Sequence, residues 1–261
     1  MKLVDLAKQL KTIETTQSIE DKFLKEFEMT VMIKDADYQV NKEIVKYHIR
    51  PSSLGGCLRN NYYQFIGAEP ELLTTQPEMI GISECGTDRH NRIQNTIKRM
   101  QSAEWISVSD HLEQLKASGS TISTIVKEVK DNETKCWNPN LNLSFMCDGI
   151  VDYMNLRRII EIKTETSLKF KERKGVEPKH LVQATCYSLA LGIDDILFIY
   201  EERDKCVKKA YSVHISNQQK QYVINMINRI KYHAKIQTAP PRPEGLSMCT
   251  YCPYRERCSK E

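Results

Sequence analysis

The sequence predicts an α/β protein with a helical region at its N-terminus. Before residue 30, apolar residues recur at helical spacing, and helical patterns return near residues 178–192 and 216–236. Between these segments lie short runs rich in β-branched and aromatic residues, which favour strands. The resulting order is helices, strands, a helix, strands, a helix and a polar tail. Such an order is typical of an α/β core with helical additions.

The first fifty residues are expected to be partly helical. Residues 1–30 fit one or two amphipathic helices, whose apolar positions are Leu6, Leu10, Ile13, Phe23 and Phe27. Residues 31–50 look extended. After them, Ser52 or Ser53 is a candidate cap for a helix that ends near Gly67.

From residue 84 onward the pattern changes from helices to strands. A helix is expected at 84–101 and a strand at Trp105–Val108, whereas 110–135 is polar and suggests an irregular insertion. The later predicted elements, in chain order, are strands at 143–154 and 157–163 with a turn at Asn155, an irregular basic segment at 166–178, a helix from Pro178 to Gly192, strands at 196–200 and 210–215, and a helix capped by Ser216 that ends near 236.

Composition and charge narrow the class of protein. The chain has 261 residues, with 38 Lys and Arg against 34 Asp and Glu, and the net charge of +4 allows a polyanionic partner. It has no run of about 18 apolar residues, so no membrane span is expected. The N-terminus does not resemble a signal peptide. A cytoplasmic location is therefore expected, and in that reducing compartment the nine cysteines should be buried or bind metal rather than form disulfides.

Two carboxylates and an ammonium are predicted to converge on one strand face. Glu161 and Lys163 are two residues apart on a strand, so they point to the same side, and pairing with the 143–154 strand would bring Asp148 beside them. Hard oxygen ligands of this kind hold Mg²⁺ or Mn²⁺, with the Ile162 carbonyl as a further ligand. Lys163 would orient or activate the attacking water and stabilise the charge that develops when a phosphodiester is cleaved.

The sequence leaves alternatives to this site open. Asp152 has the same strand parity as Asp148, so the spacing alone does not decide between them. A solvated strand face carrying acids and a lysine would show the same short pattern. Gln183 and Tyr187, at positions i and i+4 of the following helix, share one face, and His90 on the earlier helix is a candidate metal ligand.

The C-terminal cysteines have metal-ligand spacing. Cys249 and Cys252 form a CxxC pair, and Cys258 follows, while Cys57 lies far upstream. One remote cysteine and a C-terminal trio fit an iron–sulfur cluster better than a zinc ribbon, which more often has two CxxC pairs. The other five cysteines, Cys85, Cys136, Cys147, Cys186 and Cys206, lack such spacing and are expected to be core or incidental residues.

Taken together, these motifs resemble the RecB-type branch of the PD-(D/E)XK nucleases. The sequence looks most like the iron–sulfur exonucleases associated with CRISPR systems and their viral relatives, and the match runs from about Arg50 to Cys258. The motifs that carry it, in order, are Cys57, His90, Asp148, Glu161-Ile162-Lys163, Gln183 with Tyr187, and then Cys249, Cys252 and Cys258. Each motif is weak alone, but the full set in this order is specific.

The resemblance implies a fold, a set of roles and a substrate. The fold would be a restriction-endonuclease-like core at 51–240, with decoration at 1–50 and a tail at 241–261 that completes the cluster with Cys57. His90, Asp148, Glu161 and Ile162 would bind Mg²⁺ or Mn²⁺, Lys163 would be catalytic, and Gln183 and Tyr187 would support the site. The four cysteines would hold a 4Fe-4S cluster. The substrate would be linear DNA ends, often single-stranded, in a bacterial, archaeal or phage-encoded setting.

The densest basic segment of the chain is a candidate DNA-binding surface. Lys169, Lys171, Arg173 and Lys174 lie between the catalytic strand and the Gln183 helix, where they could contact DNA phosphates or form an ordinary solvated loop.

The chain could instead be a catalytically silent subunit that binds DNA ends or a partner protein in repair, recombination or CRISPR adaptation. A zinc-stabilised interaction module is a third interpretation.

Overall fold

The computed structural model describes residues 18–71, 75–130, 132–242 and 247–261, and these fall into two compact units. The smaller unit comprises the described parts of 1–44, 68–88 and 244–261, and the larger comprises 45–67 and the described parts of 89–243. Within the described residues, no helix is both long enough and apolar enough to cross a lipid bilayer.

The smaller unit is helical. It contains helix α1 (Ile19–Asn41), capped by the Ser18 side chain, a 3-10 turn at Ser247–Tyr251 and helix α9 (Arg255–Lys260). The tail is attached by Glu71, whose backbone N–H donates to the Pro253 carbonyl and whose Oε1 accepts from the Glu256 N–H, both at 2.7 Å. Helix α4 (Pro77–Ile97) begins in this unit, and its residues from Arg89 onward belong to the larger unit.

The larger unit contains two β-sheets among its described residues. The main sheet has the order β1-β5-β6-β7-β8, where β1 is Ala103–Ile106, β5 Gly149–Tyr153, β6 Leu156–Glu165, β7 Asp195–Glu202 and β8 Lys208–His214. Only the β6–β7 pair of this sheet is parallel. The second sheet is antiparallel, with the order β2 (Ile125–Lys130), β3 (Glu133–Asn138) and β4 (Leu143–Cys147).

Helices cover both faces of the main sheet. The sheet buries Ile159 and Phe198 in the same core as helices α3 (Leu58–Ile66), α7 (Pro178–Leu191) and α8 (Asn217–Lys235), while Ile160 and Ile162 pack against α4. Adjacent residues of β6 therefore face opposite cores, as the period of two in a strand requires. The remaining helices are α2 (Pro51–Leu54), α5 (Val108–Ala117) and α6 (Ser167–Glu172).

The mixed α/β class and most predicted elements are confirmed. Helix α7 ends at Gly192, which adopts a left-handed conformation (φ 69°), and helix α8 begins with a complete Ser216–Gln219 capping box. The β5–β6 turn lies at Met154 and Asn155. The predicted helix over residues 1–30 is present from Ile19, and its part over 1–17 lies outside the described residues.

Two predictions in the N-terminal region are wrong. Residues 31–41 are helical rather than extended, because no Gly or Pro interrupts α1 before Asn41. Neither Ser52 nor Ser53 caps the next helix. Pro51 instead starts the separate short helix α2, and α3 begins after the two glycines, with Cys57 as its N-cap.

Three predictions in the central region are also corrected. The segment 110–135 is not irregular: Ser107 caps α5, and β2 and β3 form a hairpin whose exposed side chains explain its polarity. The basic segment at 166–178 contains the short helix α6. The strand predicted over 143–154 is interrupted at Asp148, so that β4 and β5 belong to different sheets. The expected division at residues 50 and 240 stays a prediction.

Candidate active site

Asp148 lies where the chain passes from one sheet to the other. Its Oδ2 accepts a 2.7 Å hydrogen bond from the Ile162 backbone N–H, and its carbonyl accepts one of 2.7 Å from Gln94 Nε2. The following residue must be glycine, because a Cβ at Gly149 would lie 2.1 Å from Cη2 of Trp105. The close packing of Trp105 on the backbone thus helps to set the position of the Asp148 carboxylate.

Glu161 and Lys163 lie together on the face of β6 that was predicted for them. Lys163 Nζ is 2.5 Å from Glu161 Oε1, and the Glu161 side chain is 1% exposed. Burial raises the pKa of Glu161 from its ordinary 4.5 to about 7, with the Asp148 carboxylate adding to the rise and the Lys163 ammonium opposing it. Burial alone would lower the pKa of Lys163, but the Glu161 and Asp148 carboxylates outweigh it and raise that pKa.

His90 and Glu133 approach Asp148 from the other side. The Nδ1 atom of His90 is 3.3 Å from Asp148 Oδ1 and 3.9 Å from Glu133 Oε1. Burial works against the charged imidazole, yet the hydrogen bond and charge of Asp148 raise the pKa of His90. In the described part of the chain, these three residues form the one group of three or more potential ligands whose donor atoms all lie within 4.8 Å of one another.

Gln183 and Tyr187 form a buried pair on α7. Gln183 Nε2 donates a 2.7 Å hydrogen bond to Tyr187 Oη. Burial raises the pKa of Tyr187 well above its ordinary value, and the negative charges of Glu161 and Asp148 raise it further. The shared helix face predicted for the two residues therefore turns toward the carboxylates.

The structure distinguishes between Asp148 and Asp152, the two candidate aspartates of the site. Asp152 lies on β5, where Arg157 binds both of its carboxylate oxygens, at 2.9 and 2.8 Å. This ion pair lowers the pKa of Asp152, the hydrogen bonds from Arg157 being the main cause. Asp152 is thus engaged in a structural pair, and Asp148 is the aspartate that lies beside His90 and Glu161.

Two residues of the site were missed in the sequence. Gln94 lies one turn after His90 on α4, at the i+4 spacing that also relates Gln183 to Tyr187, so the same pattern could have found it. Glu133 has no such local signal. It adjoins Asp148 because β3 pairs with β4, with Thr134 opposite Cys147. The polar composition of 110–135 predicts an irregular insertion there and gives no sign of this pairing.

The basic segment is divided between structural and exposed residues. The Arg173 guanidinium forms an ion pair with Glu165, is 3.3 Å from Glu177 and lies over the Tyr200 ring at 4.1 Å. Lys169, Lys171 and Lys174 are exposed and form no ion pair with other described residues. The lysines therefore present unpaired positive charge, whereas the charge of Arg173 is already balanced.

Three of the nine cysteines are buried, and the other six are half-buried or exposed. Cys136, Cys147 and Cys186 are buried, and burial raises the pKa of all three thiols, with those of Cys147 and Cys186 far above the usual range. Cys57 begins α3 in the larger unit. In the smaller unit the Cys252 N–H donates to the Cys249 carbonyl in a tight turn, and Cys258 follows on α9. The described residues contain no cysteine group within the 4.8 Å limit that the histidine group meets.

The donor set of the site fits a divalent cation. Around a six-coordinate ion with ligands at about 2.1 Å, neighbouring donor atoms lie about 3.0 Å apart and opposite ones about 4.2 Å apart. The 3.3 and 3.9 Å separations at His90 fall within this range. Carboxylate oxygens with one imidazole suit Mn²⁺ or Mg²⁺. Their like charges would also repel one another without a cation between them.

The mixed sheet has helices on both faces, and Asp148 lies at a strand break beside Glu161 and Lys163 of β6. This arrangement is that of the restriction-endonuclease-like fold. The sequence profile of the PD-(D/E)XK nuclease superfamily matches residues 87–259, and the chain belongs to this superfamily. No curated protein sequence matches it significantly.

Three solved structures are similar to this chain at low sequence identity. The crystal structure of SSO0001 is similar with a TM-score of 0.52 and 15% identity, over 91% of this chain and 97% of that one. Two structures of an alkaline exonuclease (LHK-Exo) from Laribacter hongkongensis, one of them in complex with dAMP, match over 73% of this chain and 89% of theirs. Their identity is 12% and their TM-scores are 0.44 and 0.45.

Proposed function

We propose that this nuclease is a metal-dependent DNA exonuclease that hydrolyses phosphodiester bonds at linear, single-stranded ends. The observation that carries the proposal is the position of Asp148, whose two oxygens face His90 on one side and the Glu161 strand on the other. A carboxylate placed in this way, next to a buried acid and a lysine, suits metal-assisted hydrolysis of a phosphodiester.

His90, Asp148 and Glu161 would hold Mg²⁺ or Mn²⁺, with the Ile162 carbonyl as a further ligand. When bound, the cation supplies Lewis-acid chemistry at the scissile phosphate and lowers the pKa of water. Glu161 must lose its proton before it can act as a ligand, and its raised pKa means that this happens near neutral pH.

Lys163 would act through its charge. Its pKa is raised, so the side chain is an ammonium at neutral pH and not a base. An ammonium held 2.5 Å from Glu161 is placed to donate a hydrogen bond to the attacking water or to a phosphate oxygen. There it would stabilise the negative charge that grows as the phosphorus–oxygen bond is cleaved.

Gln183 and Tyr187 would support this geometry from α7. Because Gln183 Nε2 donates to Tyr187 Oη, the orientation of the amide is fixed and its Oε1 can accept a hydrogen bond. We assign it the positioning of Lys163 or of the scissile phosphate. The exposed Lys169, Lys171 and Lys174 would attract the DNA backbone. Arg173 belongs to the same predicted DNA-binding segment, and its pairing with Glu165 favours a supporting role there.

We further propose that Cys57, Cys249, Cys252 and Cys258 hold a 4Fe-4S cluster with a mainly structural role. Its support is the ligand spacing, the turn that joins Cys249 to Cys252 and the fact that none of the four residues is buried. Separate iron atoms of such a cluster bind separate thiolates, which therefore lie farther apart than around one zinc ion. We propose the reducing cytoplasm as the location, where nine cysteines outside disulfides are stable. A protein partner in repair, recombination or CRISPR adaptation remains part of the proposal.

The test is a nuclease assay on DNA of defined ends. Wild type, Lys163→Ala and the control Lys116→Ala are purified anaerobically and given end-labelled linear and covalently closed circular single-stranded DNA, with Mg²⁺, Mn²⁺ or EDTA. Lys116 is exposed on α5, outside the site and the DNA-binding segment. We expect metal-dependent degradation of linear DNA by wild type and Lys116→Ala but not by Lys163→Ala, with circular DNA spared. Cleavage of circles would show an endonuclease. No cleavage by folded wild type on any substrate would favour a DNA-end-binding subunit.

A further inference from the structure

We propose that Glu133, carried by the β2–β3 hairpin, is a further ligand of the catalytic metal. The inference rests on the proposed metal-dependent function and adds a residue to it from a different sheet. Asp148 connects β4 of the second sheet to β5 of the main sheet, and Glu133 is the first residue of β3, the strand that pairs with β4. The metal would then be held by ligands from both sheets and from α4.

Strand register places Glu133 opposite Asp148. Thr134 pairs with Cys147 in the antiparallel β3–β4 ladder, so the next residues along each strand, Glu133 and Asp148, face one another. The Glu133 carboxylate reaches to 3.9 Å from His90 Nδ1, and the donor atoms of Glu133, His90 and Asp148 all lie within 4.8 Å of one another. The two separations at His90, 3.3 and 3.9 Å, lie within the range found around a six-coordinate ion.

The hairpin tip is fastened to the helix that carries His90. Lys98 Nζ donates a 2.6 Å hydrogen bond to Asn132 Oδ1, and Asn132 Nδ2 donates to Asn95 Oδ1 at 3.2 Å and to Asn91 Oδ1 at 3.4 Å. Lys98 is itself held over the Trp105 ring at 4.9 Å. Residue 132 directly precedes Glu133, so this amide network sets where the Glu133 carboxylate stands relative to His90.

A buried acceptor beside the group independently indicates a bound species. Gln94 is fully buried and binds the Asp148 carbonyl through its Nε2, yet its Oε1 has no hydrogen-bond partner among the described residues. A buried amide oxygen without a partner costs about 1–3 kcal/mol, so native proteins normally satisfy such atoms. A water held in the coordination shell of the cation would supply the missing donor, because such a water offers its protons away from the metal.

The experiment measures Mn²⁺ binding without DNA, on the full-length protein purified anaerobically, by isothermal titration calorimetry. Glu133→Gln is compared with Glu128→Gln, which makes the same charge change on the same hairpin at an exposed position 4.0 Å from Lys135. Asp148→Asn serves as the reference for the proposed site. Glu133→Asp keeps the charge on a shorter side chain, and thermal melts confirm that each variant folds.

We expect Glu133→Gln to weaken Mn²⁺ binding at least about tenfold, Glu133→Asp to weaken it less, and Glu128→Gln to leave it unchanged. Wild-type affinity in folded Glu133→Gln, with loss in Asp148→Asn, would overturn the role of Glu133 and leave the proposed function standing. If Glu133→Gln fails to fold, wild-type Mn²⁺ affinity in Glu133→Asp would overturn the role of Glu133 in its place. An equal loss of Mn²⁺ affinity in Glu128→Gln would show that the effect comes from the change in net charge, and would overturn the assignment of Glu133 as a ligand. Wild-type affinity in Asp148→Asn, or no binding by wild type, would overturn both.

Discussion

The backbone N–H of Ile162 donates a 2.7 Å hydrogen bond to Oδ2 of Asp148. The donor lies between Glu161 and Lys163, so this one contact ties the aspartate to the strand that carries the other two charged groups. Oδ1 of the same carboxylate remains directed to His90 at 3.3 Å. A carboxylate held at one oxygen presents the other in a fixed direction, which is the geometry that a small divalent ion demands.

Substitutions at Asp148 and Asp152 should have different effects on DNA cleavage. Asp148→Asn removes a charged ligand and should cost several kcal/mol of transition-state stabilisation. The rate of DNA cleavage should therefore fall more than about a hundredfold. Asp152→Asn breaks only the half-exposed pair with Arg157 and should cost no more than about 1 kcal/mol of stability while cleavage persists. Single-turnover cleavage and urea unfolding of both variants check this. Loss of cleavage in folded Asp152→Asn would restore it as the metal ligand.

The metal-free protein should lose stability as pH rises toward neutral. Glu161 has a folded pKa of about 7 against an ordinary 4.5, so between these values the folded state keeps a proton that the unfolded chain releases. This contribution is complete below the unfolded pKa and is lost as pH rises through about 7. Urea unfolding in EDTA between about pH 5 and 8 measures it against Glu161→Gln, which should show a flatter dependence. Parallel curves for the two proteins would contradict the assignment.

Gly149→Ala should destabilise the fold and damage the site together. The new methyl group would overlap Trp105, and relieving the overlap should cost about 1–3 kcal/mol and displace Asp148. Gly175→Ala is the matched control, because nothing lies within 4 Å of a Cβ there. Unfolding midpoints and cleavage rates are measured for both. A Gly149→Ala protein as stable and active as Gly175→Ala would show that the Trp105 contact does not position the aspartate.

Cys252→Ser should lose iron, whereas Cys206→Ser should keep it. Neither residue is in a disulfide, but only Cys252 belongs to the proposed ligand set. Iron analysis and the brown iron–thiolate absorption of anaerobically purified protein provide the measurement. Zinc in place of iron in wild type would indicate a zinc-stabilised tail. Full iron content in Cys252→Ser would remove this residue from the cluster.

The parts of the site that the sequence could predict are those set by local periodicity. The shared face of Glu161 and Lys163 follows from strand alternation, and the pairing of Gln183 with Tyr187 follows from the helical turn. Glu133 could not be predicted in this way, because its position depends on which strands pair across the chain. The interruption at Asp148 was also missed, since it depends on the packing of Trp105 against Gly149.

The turn that joins β5 to β6 bears on the order in which the molecule assembles. Met154 and Asn155 form a two-residue turn with positive φ angles of 53° and 61°, the geometry of a tight hairpin. Hairpins close within about 1–10 μs, so Asp148 and Glu161 should come together early in folding. Glu133 is joined to Asp148 by a second local hairpin, β3–β4. His90 and the parallel strand β7 require the closure of longer loops, which is slower. The three carboxylates would therefore be together before His90 reaches them.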